Sequence, residues 1–249
     1  MKFDSYLLLT LGGIGKRFKD AKVCQPKFLL DFKNKPVIEN ILKSYDGNFL
    51  LIVGVNNVYK DYKKLIENCI NNIGIKHYLV VFIESTNSQS ESAFKTLIKI
   101  ENKKKIQPNT PLFIINGDTI TNKKNLDSIS KKMKKNDLQG FVEYFNSNSK
   151  NFSYISIDEN SNVMKIEEKE VISNYATTGF YGFRNFCSYN QAYKKAMVEF
   201  KDNKKKEMYI SFLYKKMIED GQKIGSFSVK KDPIILGTPE EYFHALSLL

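Results

Sequence analysis

Continuous apolar runs at residues 6–11, 49–55, 77–83 and 112–117 alternate with stretches of mixed character. Runs of that length without polar alternation predict strands buried on both faces. The stretches between them, 36–45, 59–70 and 91–100, carry apolar residues at a spacing near 3.6 and predict helices, with Pro36 in the first turn of its helix. Residues 27–32 (KFLLDF) read as a short extended piece. This alternation argues for a mostly parallel sheet covered on both faces, an α/β class in three α/β/α layers. In such sheets ligands bind at the carboxyl ends of the strands.

The pattern changes near residue 138. Residues 138–145, 152–170 and 175–183 look like closely spaced strands, with a hairpin turn at 158–162. Two helices are expected near 185–199 and 207–219, then a strand at 223–229 and a last helix from about Pro239. The expected organisation is one domain over 1–249, a length that α/β folds reach undivided, with halves at about 1–137 and 138–249.

Composition changes this picture little. The net charge of +12 first suggests a nucleic-acid partner. However, lysine is spread along the whole chain and only Arg17 and Arg184 are arginines, whereas nucleic-acid surfaces recruit arginine for bidentate contacts. No nucleic-acid partner is expected. The basic runs at 103–105 and 204–206 read as solvated faces. Cys24, Cys69 and Cys187 are odd in number and scattered, which suits free thiols and a cytoplasmic location. No apolar run is long enough to span a membrane, and the first residues lack the cleavage site of a signal peptide. His77 and His244 have no partner at catalytic spacing.

The candidate chemistry begins at "LTLGGIGKRF", residues 9–18, a glycine-rich loop after the first strand. The dinucleotide fingerprint fits Gly13 and Gly15 but would need a third glycine at Phe18, and the Walker loop would need a glycine at Thr10. Alone, such a loop could be only a tight strand-to-helix turn. Lys27 follows Pro26 and could be an ordinary surface lysine. Asp118 ends the fourth apolar run, where it could bind a metal or cap a helix. Lys169, in "EEKE", could be an ordinary exposed strand residue.

Taken together the motifs resemble the nucleoside triphosphate:phosphate nucleotidyltransferases, whose core is Rossmann-like (GT-A-like). They run in family order: Gly12-Gly13-Ile14-Gly15-Lys16-Arg17-Phe18, then Pro26-Lys27-Phe28-Leu29, Gly117-Asp118, Glu168-Lys169, Thr178 and Gly179 with Tyr181 and Phe183, and GTPEEY at 237–242. The resemblance implies a nucleotide-binding first half and an acceptor-binding second half. It implies a triphosphate cradled by Leu11, Gly12, Gly13, Gly15 and Lys16, with Arg17 on the β- and γ-phosphates and Lys27 near the α-phosphate. Ser90, Ser92 and Gly117 would complete the nucleotide site. Glu168, Lys169, Thr178 and Gly179 would meet a phosphorylated small-molecule acceptor, and Asp118 would hold Mg²⁺. Arg17, Lys27 and Asp118 are the expected catalytic set.

Two departures refine this. Many sugar-nucleotide members carry a second metal aspartate where this chain has Ile235, and Asp232 is off register by three. The start of the base-contacting helix reads Glu91-Ser92-Ala93, which is similar to cytidylyltransferases and favours CTP. A sugar-1-phosphate nucleotidyltransferase using CTP, UTP or dTTP is the competing reading. A glycosyltransferase is disfavoured because 116–118 reads Asn-Gly-Asp rather than Asp-x-Asp. A catalytically dead homologue is disfavoured because Arg17, Lys27 and Asp118 are all retained.

Overall fold

In a computed structural model, residues 2–103, 106–200 and 207–249 are described; most of the two basic runs lies outside them, and Lys103 is exposed. The central strand is Ser5–Leu11, every residue of it buried. It pairs in parallel with Phe49–Asn56 on one side and Leu112–Asn116 on the other, and Tyr78–Ile83 continues the parallel set outward. The apolar runs are explained by this arrangement. Leu7, Leu9 and Leu11 point into one core layer, while Tyr6 and Leu8 point into the other, so both faces are packed with apolar side chains and the buried polar residues, Ser5 and Thr10, fall towards the strand's two ends.

The second half attaches to the same sheet. Tyr175–Phe183 runs antiparallel to Leu112–Asn116 and carries Gly140–Asn146 as well as the hairpin of Ser153–Ile157 and Val163–Glu168. Ile224–Ser228 lies parallel to Gly140–Asn146, completing a nine-stranded sheet. Helices Val37–Leu42, Lys63–Asn72 and Leu126–Lys135 cover one face; Gln89–Glu101, Phe186–Phe200 and Ile210–Glu219 cover the other. The α/β/α layers expected from the sequence are therefore observed. Among the described residues no helix is long and apolar enough to cross a membrane.

Three local readings are corrected. Residues 27–29 form a 3₁₀ turn rather than an extended piece, because the Leu29 N–H donates to the Pro26 carbonyl at 2.8 Å. The helix expected from 59 begins instead as a 3₁₀ segment, Asn57–Tyr62, started by the Asn56 side chain accepting from the Val58 N–H; Tyr59 is non-helical, and the α-helix is Lys63–Asn72. Asp118 caps no helix. Thr119–Ile120 after it is a short strand antiparallel to Ile234–Ile235.

Candidate active site

The carboxyl ends of the parallel strands bring Leu11, Asn56 and Asn116 to one edge of the sheet. Gly12 leaves the central strand there, its carbonyl accepting from the Asn56 side chain at 2.8 Å. A Cβ on Gly12 would sit 2.1 Å from Ser92 Oγ, so glycine is what lets the loop lie directly against the start of the Gln89–Glu101 helix. Gly13 has open space where a side chain would be, and Gly15 adopts a left-handed φ of 64° before the short Lys16–Asp20 helix. Leu11 is buried against Gly117, whose own missing Cβ makes room for it. Lys16 and Arg17 are exposed.

Lys27 and Asp118 meet across the mouth of this edge. Lys27 Nζ lies 2.6 Å from Asp118 Oδ2, and the two side chains are each 25% exposed. Asp118 Oδ1 accepts from the Thr119 hydroxyl at 3.2 Å. Burial alone would raise the Asp118 pKa, but the charge and hydrogen bond of Lys27, the Thr119 hydroxyl and the more distant Arg17 outweigh it and hold the carboxyl below its ordinary value. Asp118 is therefore an ionised, hard oxygen donor. The Arg17 guanidinium also pulls the Tyr209 and Glu240 pKa values down, as the smallest of the influences on each. Among the described residues it makes no hydrogen bond or ion pair of its own.

On the second-half side, Glu168 ends its strand with Oε2 accepting from the Ser153 hydroxyl and, at 2.7 Å, from the Ser211 hydroxyl. Burial pushes its carboxyl up, aided by Glu207 and opposed by those hydroxyls and by Lys169. Lys169 has a left-handed φ of 57°, and its Nζ donates to the Tyr209 hydroxyl at 2.6 Å. Tyr209 is itself pushed well up by burial and by Glu207. Gly179 has φ 85°, and a Cβ on it would sit 2.2 Å from Asn116 Nδ2.

Two expected contacts are turned into the interior. Ser90 is fully buried, donating to the Met208 carbonyl. The Thr178 hydroxyl donates to Glu143 Oε2 at 2.7 Å and is committed there. Ser92 is 1% exposed and its hydroxyl has no partner. Glu91 serves its own helix start, accepting from the Asn87 N–H at 2.9 Å.

Sequence reasoning missed two polar side chains at the strand ends. Gln89 Nε2 donates to Asn116 Oδ1 at 2.5 Å and to Thr10 Oγ1 at 3.3 Å. Their signal was faint: a glutamine inside "SQSESA" and an asparagine before Gly117-Asp118. Tyr209 carried none. The register of Ile235 opposite Thr119 places it beside Asp118, at the position where the resemblance implies a second aspartate, while Asp232 is exposed.

Solved structures of similar fold span almost the whole chain. A nucleoside-diphosphate-sugar pyrophosphorylase from Vibrio cholerae RC9 matches 97% of this chain and 99% of its own, with TM-score 0.84 at 24% identity. A UDP-glucose pyrophosphorylase complexed with UDP-glucose matches 98% and 97%, with TM-score 0.74 at 17% identity. The inositol-1-phosphate CTP transferase from T. maritima matches 99% and 96%, with TM-score 0.68 at 15% identity. No curated protein sequence matches the chain. The sequence profile described as "Nucleotidyl transferase" covers residues 7–248. The chain belongs to the nucleotidyl transferase family.

Proposed function

We propose that the protein joins a nucleoside triphosphate, CTP, to a phosphorylated small molecule with release of pyrophosphate. The observation that carries this reading is the Lys27–Asp118 pair facing an open glycine loop at the carboxyl edge of the sheet. An oxygen of the acceptor's phosphate attacks the α-phosphorus. The bond from that phosphorus to the bridging oxygen of the β-phosphate breaks, and the pyrophosphate leaves with that electron pair. No covalent intermediate with the protein is needed, so the task is to hold anions in line and to offset the charge that spreads over the phosphoryl oxygens. Gly13 and Gly15 let backbone N–H groups approach the triphosphate. Arg17, with a planar fork, would grip the leaving pyrophosphate, and Lys27 would place a point charge by the α-phosphate. Lys169 would meet the acceptor's phosphate.

Mg²⁺ fits this chemistry through one protein ligand. Asp118 is ionised, and a hard ion of this kind is commonly held by one or two carboxylates with substrate phosphates completing its shell. When bound, the ion would neutralise part of the triphosphate's charge and polarise the α-phosphoryl group.

CTP is favoured by the likeness of Glu91-Ser92-Ala93 to cytidylyltransferases and by fold similarity to a CTP transferase. L-Glutamine phosphate, giving CDP-L-glutamine for capsular polysaccharide assembly, is the acceptor we take. Chain length, Lys/Asn/Ile-rich composition and the altered C-terminal motif resemble enzymes of that step. Sugar 1-phosphates are the alternative, the class suggested by two of the fold neighbours. The test is a matrix of four nucleoside triphosphates against a panel of phosphate esters, read by pyrophosphate release. Turnover confined to CTP with an amino-acid phosphate supports the reading in full. Turnover with sugar 1-phosphates replaces the acceptor, equal rates with all four triphosphates remove the base assignment, and no pyrophosphate with any pair removes the reaction.

A further inference from the structure

The chain folds with a cation already seated on the carboxylate that a metal would use. Asp118 Oδ2 is held by Lys27 Nζ at 2.6 Å and Oδ1 by the Thr119 hydroxyl at 3.2 Å. The other charges facing this point do not reverse the balance. Arg17 adds a positive charge nearby. Position 235, in register beside Asp118, is isoleucine. Glu241 Oε2 and Asp118 Oδ2 would lie 3.2 and 3.4 Å from a Cβ on Gly237, so the two carboxylates are neighbours. One oxygen of the Glu241 carboxylate, Oε2, accepts from the Thr238 N–H at 2.9 Å, as half of a capping box, which ties that side chain to its own helix start. Among the described residues no group of three or more His, Cys, Asp or Glu side chains could hold a metal ion. A bare divalent cation approaching Asp118 therefore meets a carboxylate already paired with an ammonium, with Glu241 as its carboxylate neighbour, and must expel that ammonium while giving up tightly held water.

We infer that Lys27 is the resident counter-ion of Asp118, and that a divalent cation reaches this carboxylate only together with a nucleotide's phosphates. The inference rests on the nucleotidyl-transfer reading for the identity of the incoming anion. A triphosphate changes both sides of the exchange. It offers Lys27 another anion and it brings the oxygen ligands that the protein lacks. With a quarter of each side chain exposed, Lys27 can swing from Asp118 to the α-phosphate without emptying a buried space. One lysine thus serves in turn as a guard of the metal carboxylate and as the cation beside the reacting phosphorus. Free metal is excluded until the substrate is present.

The test uses Mn²⁺ alone as probe, titrated into the full-length protein without nucleotide and followed by the loss of the free-ion paramagnetic resonance signal. Wild type should bind weakly. Lys27→Met, which keeps the stem and removes the charge, should bind about tenfold more tightly or better, since a unit charge in contact with the site has been removed. Lys27→Arg should remain as weak as wild type. The double variant Lys27→Met/Asp118→Asn should lose the gain. Thermal melts of all four verify the fold, and Lys27→Arg keeps the comparison open should Lys27→Met melt early, because tight Mn²⁺ binding by the folded Arg variant would overturn the inference. Equal affinity in wild type and Lys27→Met, including no binding in either, also overturns it. Pyrophosphate release by wild type separates the two readings. Release without the Lys27 effect leaves the reaction standing and removes the guard, whereas the Lys27 effect without release in the full substrate matrix leaves the guard standing and removes the reaction.

Discussion

Two lysine–carboxylate pairs each have one member in the segment 118–124, and they are alike in chemistry and opposite in setting. Lys27 and Asp118 are 2.6 Å apart with both side chains 25% exposed. Lys124 Nζ and Glu143 Oε1 are 2.8 Å apart with 6% and 1% exposed. Glu143 also accepts from the Thr121 hydroxyl at 3.0 Å and the Thr178 hydroxyl at 2.7 Å. Lys124 lies 5.1 Å from the Tyr45 ring centroid and 4.9 Å from that of Phe180. Burial pulls the Lys124 pKa down against the opposing pull of Glu143, and pushes the Tyr45 hydroxyl up. The exposed pair can trade partners because water is at hand for whichever ion is left. The buried pair cannot, since either charge alone would be stranded among aromatic rings. One pair is suited to working with ligands, the other to holding the 119–124 segment against the strand that carries Thr178.

The sharpest way to break the comparison is at Asp118. Asp118→Asn should lower Mg²⁺-dependent turnover by about 10³-fold or more, as expected for a group that fixes charge at the reacting phosphate, while costing less than about 1 kcal/mol of stability. Steady-state rates and urea unfolding read the two quantities, and near wild-type turnover would reduce Asp118 to a structural role. Glu143→Ala should show the reverse emphasis. Stranding Lys124 should cost about 3–5 kcal/mol in urea unfolding, and a loss below 1 kcal/mol would mean that water already reaches the pair. Lys27→Ala should lower kcat by about 10²–10³-fold with a smaller change in KM for CTP, because a fixed cation at the α-phosphate acts mainly on the transition state. A raised KM with unchanged kcat would make it a uniform binding contact. The smallest effect concerns pH. Asp118 has a depressed carboxyl pKa, so its pairing contributes fully above the ordinary value of 3.8 and is lost as pH falls through the lower folded value. The stability difference between wild type and Asp118→Asn should therefore be flat from neutrality to about pH 4 and shrink below it, by less than about 1 kcal/mol in total.

The sequence made the parallel strands legible because Ser5–Leu11, Phe49–Asn56 and Leu112–Asn116 are buried on both faces and so appear as unbroken apolar runs, and Tyr78–Ile83 shares that apolar character although most of it is half-buried. Arg17, Lys27 and Asp118 stood out as candidates because they sit in short motifs fixed by backbone needs: a glycine loop, a Pro-Lys turn, a strand end followed by Gly-Asp. Ser90 and Thr178, expected at the site, are found turned inward for a related reason. Thr178 lies in Tyr175–Phe183, where eight consecutive residues are buried, and without alternation nothing in the sequence says whether a hydroxyl faces a substrate or the interior. Ser90 follows the true cap residue, Ser88, by two positions, which turns it inward to the Met208 carbonyl. The Gln89–Asn116 pair joins residues 27 apart in the chain, a pairing that only the packing of the helix start against the strand end reveals.

That pair also limits how such a site can change. Asn116 is a spacer between the helix start at Gln89 and the strand at Gly179, with no room for a Cβ on the glycine side. A substitution that reshapes the strand at Gly179 must push Asn116, and through it Gln89 and Thr10. In evolutionary terms, under the proposed assignment of Gly179 to the acceptor and of the start of the Gln89–Glu101 helix to the base, the two preferences would be linked through one amide, and a new acceptor reached by mutation at Gly179 would arrive with a disturbed base site. Under the same assignment, variation confined to Glu168, Lys169 or Tyr209, whose side-chain hydrogen bonds run to one another, to Ser153 and to Ser211, would leave Asn116 in place and offer the less obstructed route to a different acceptor.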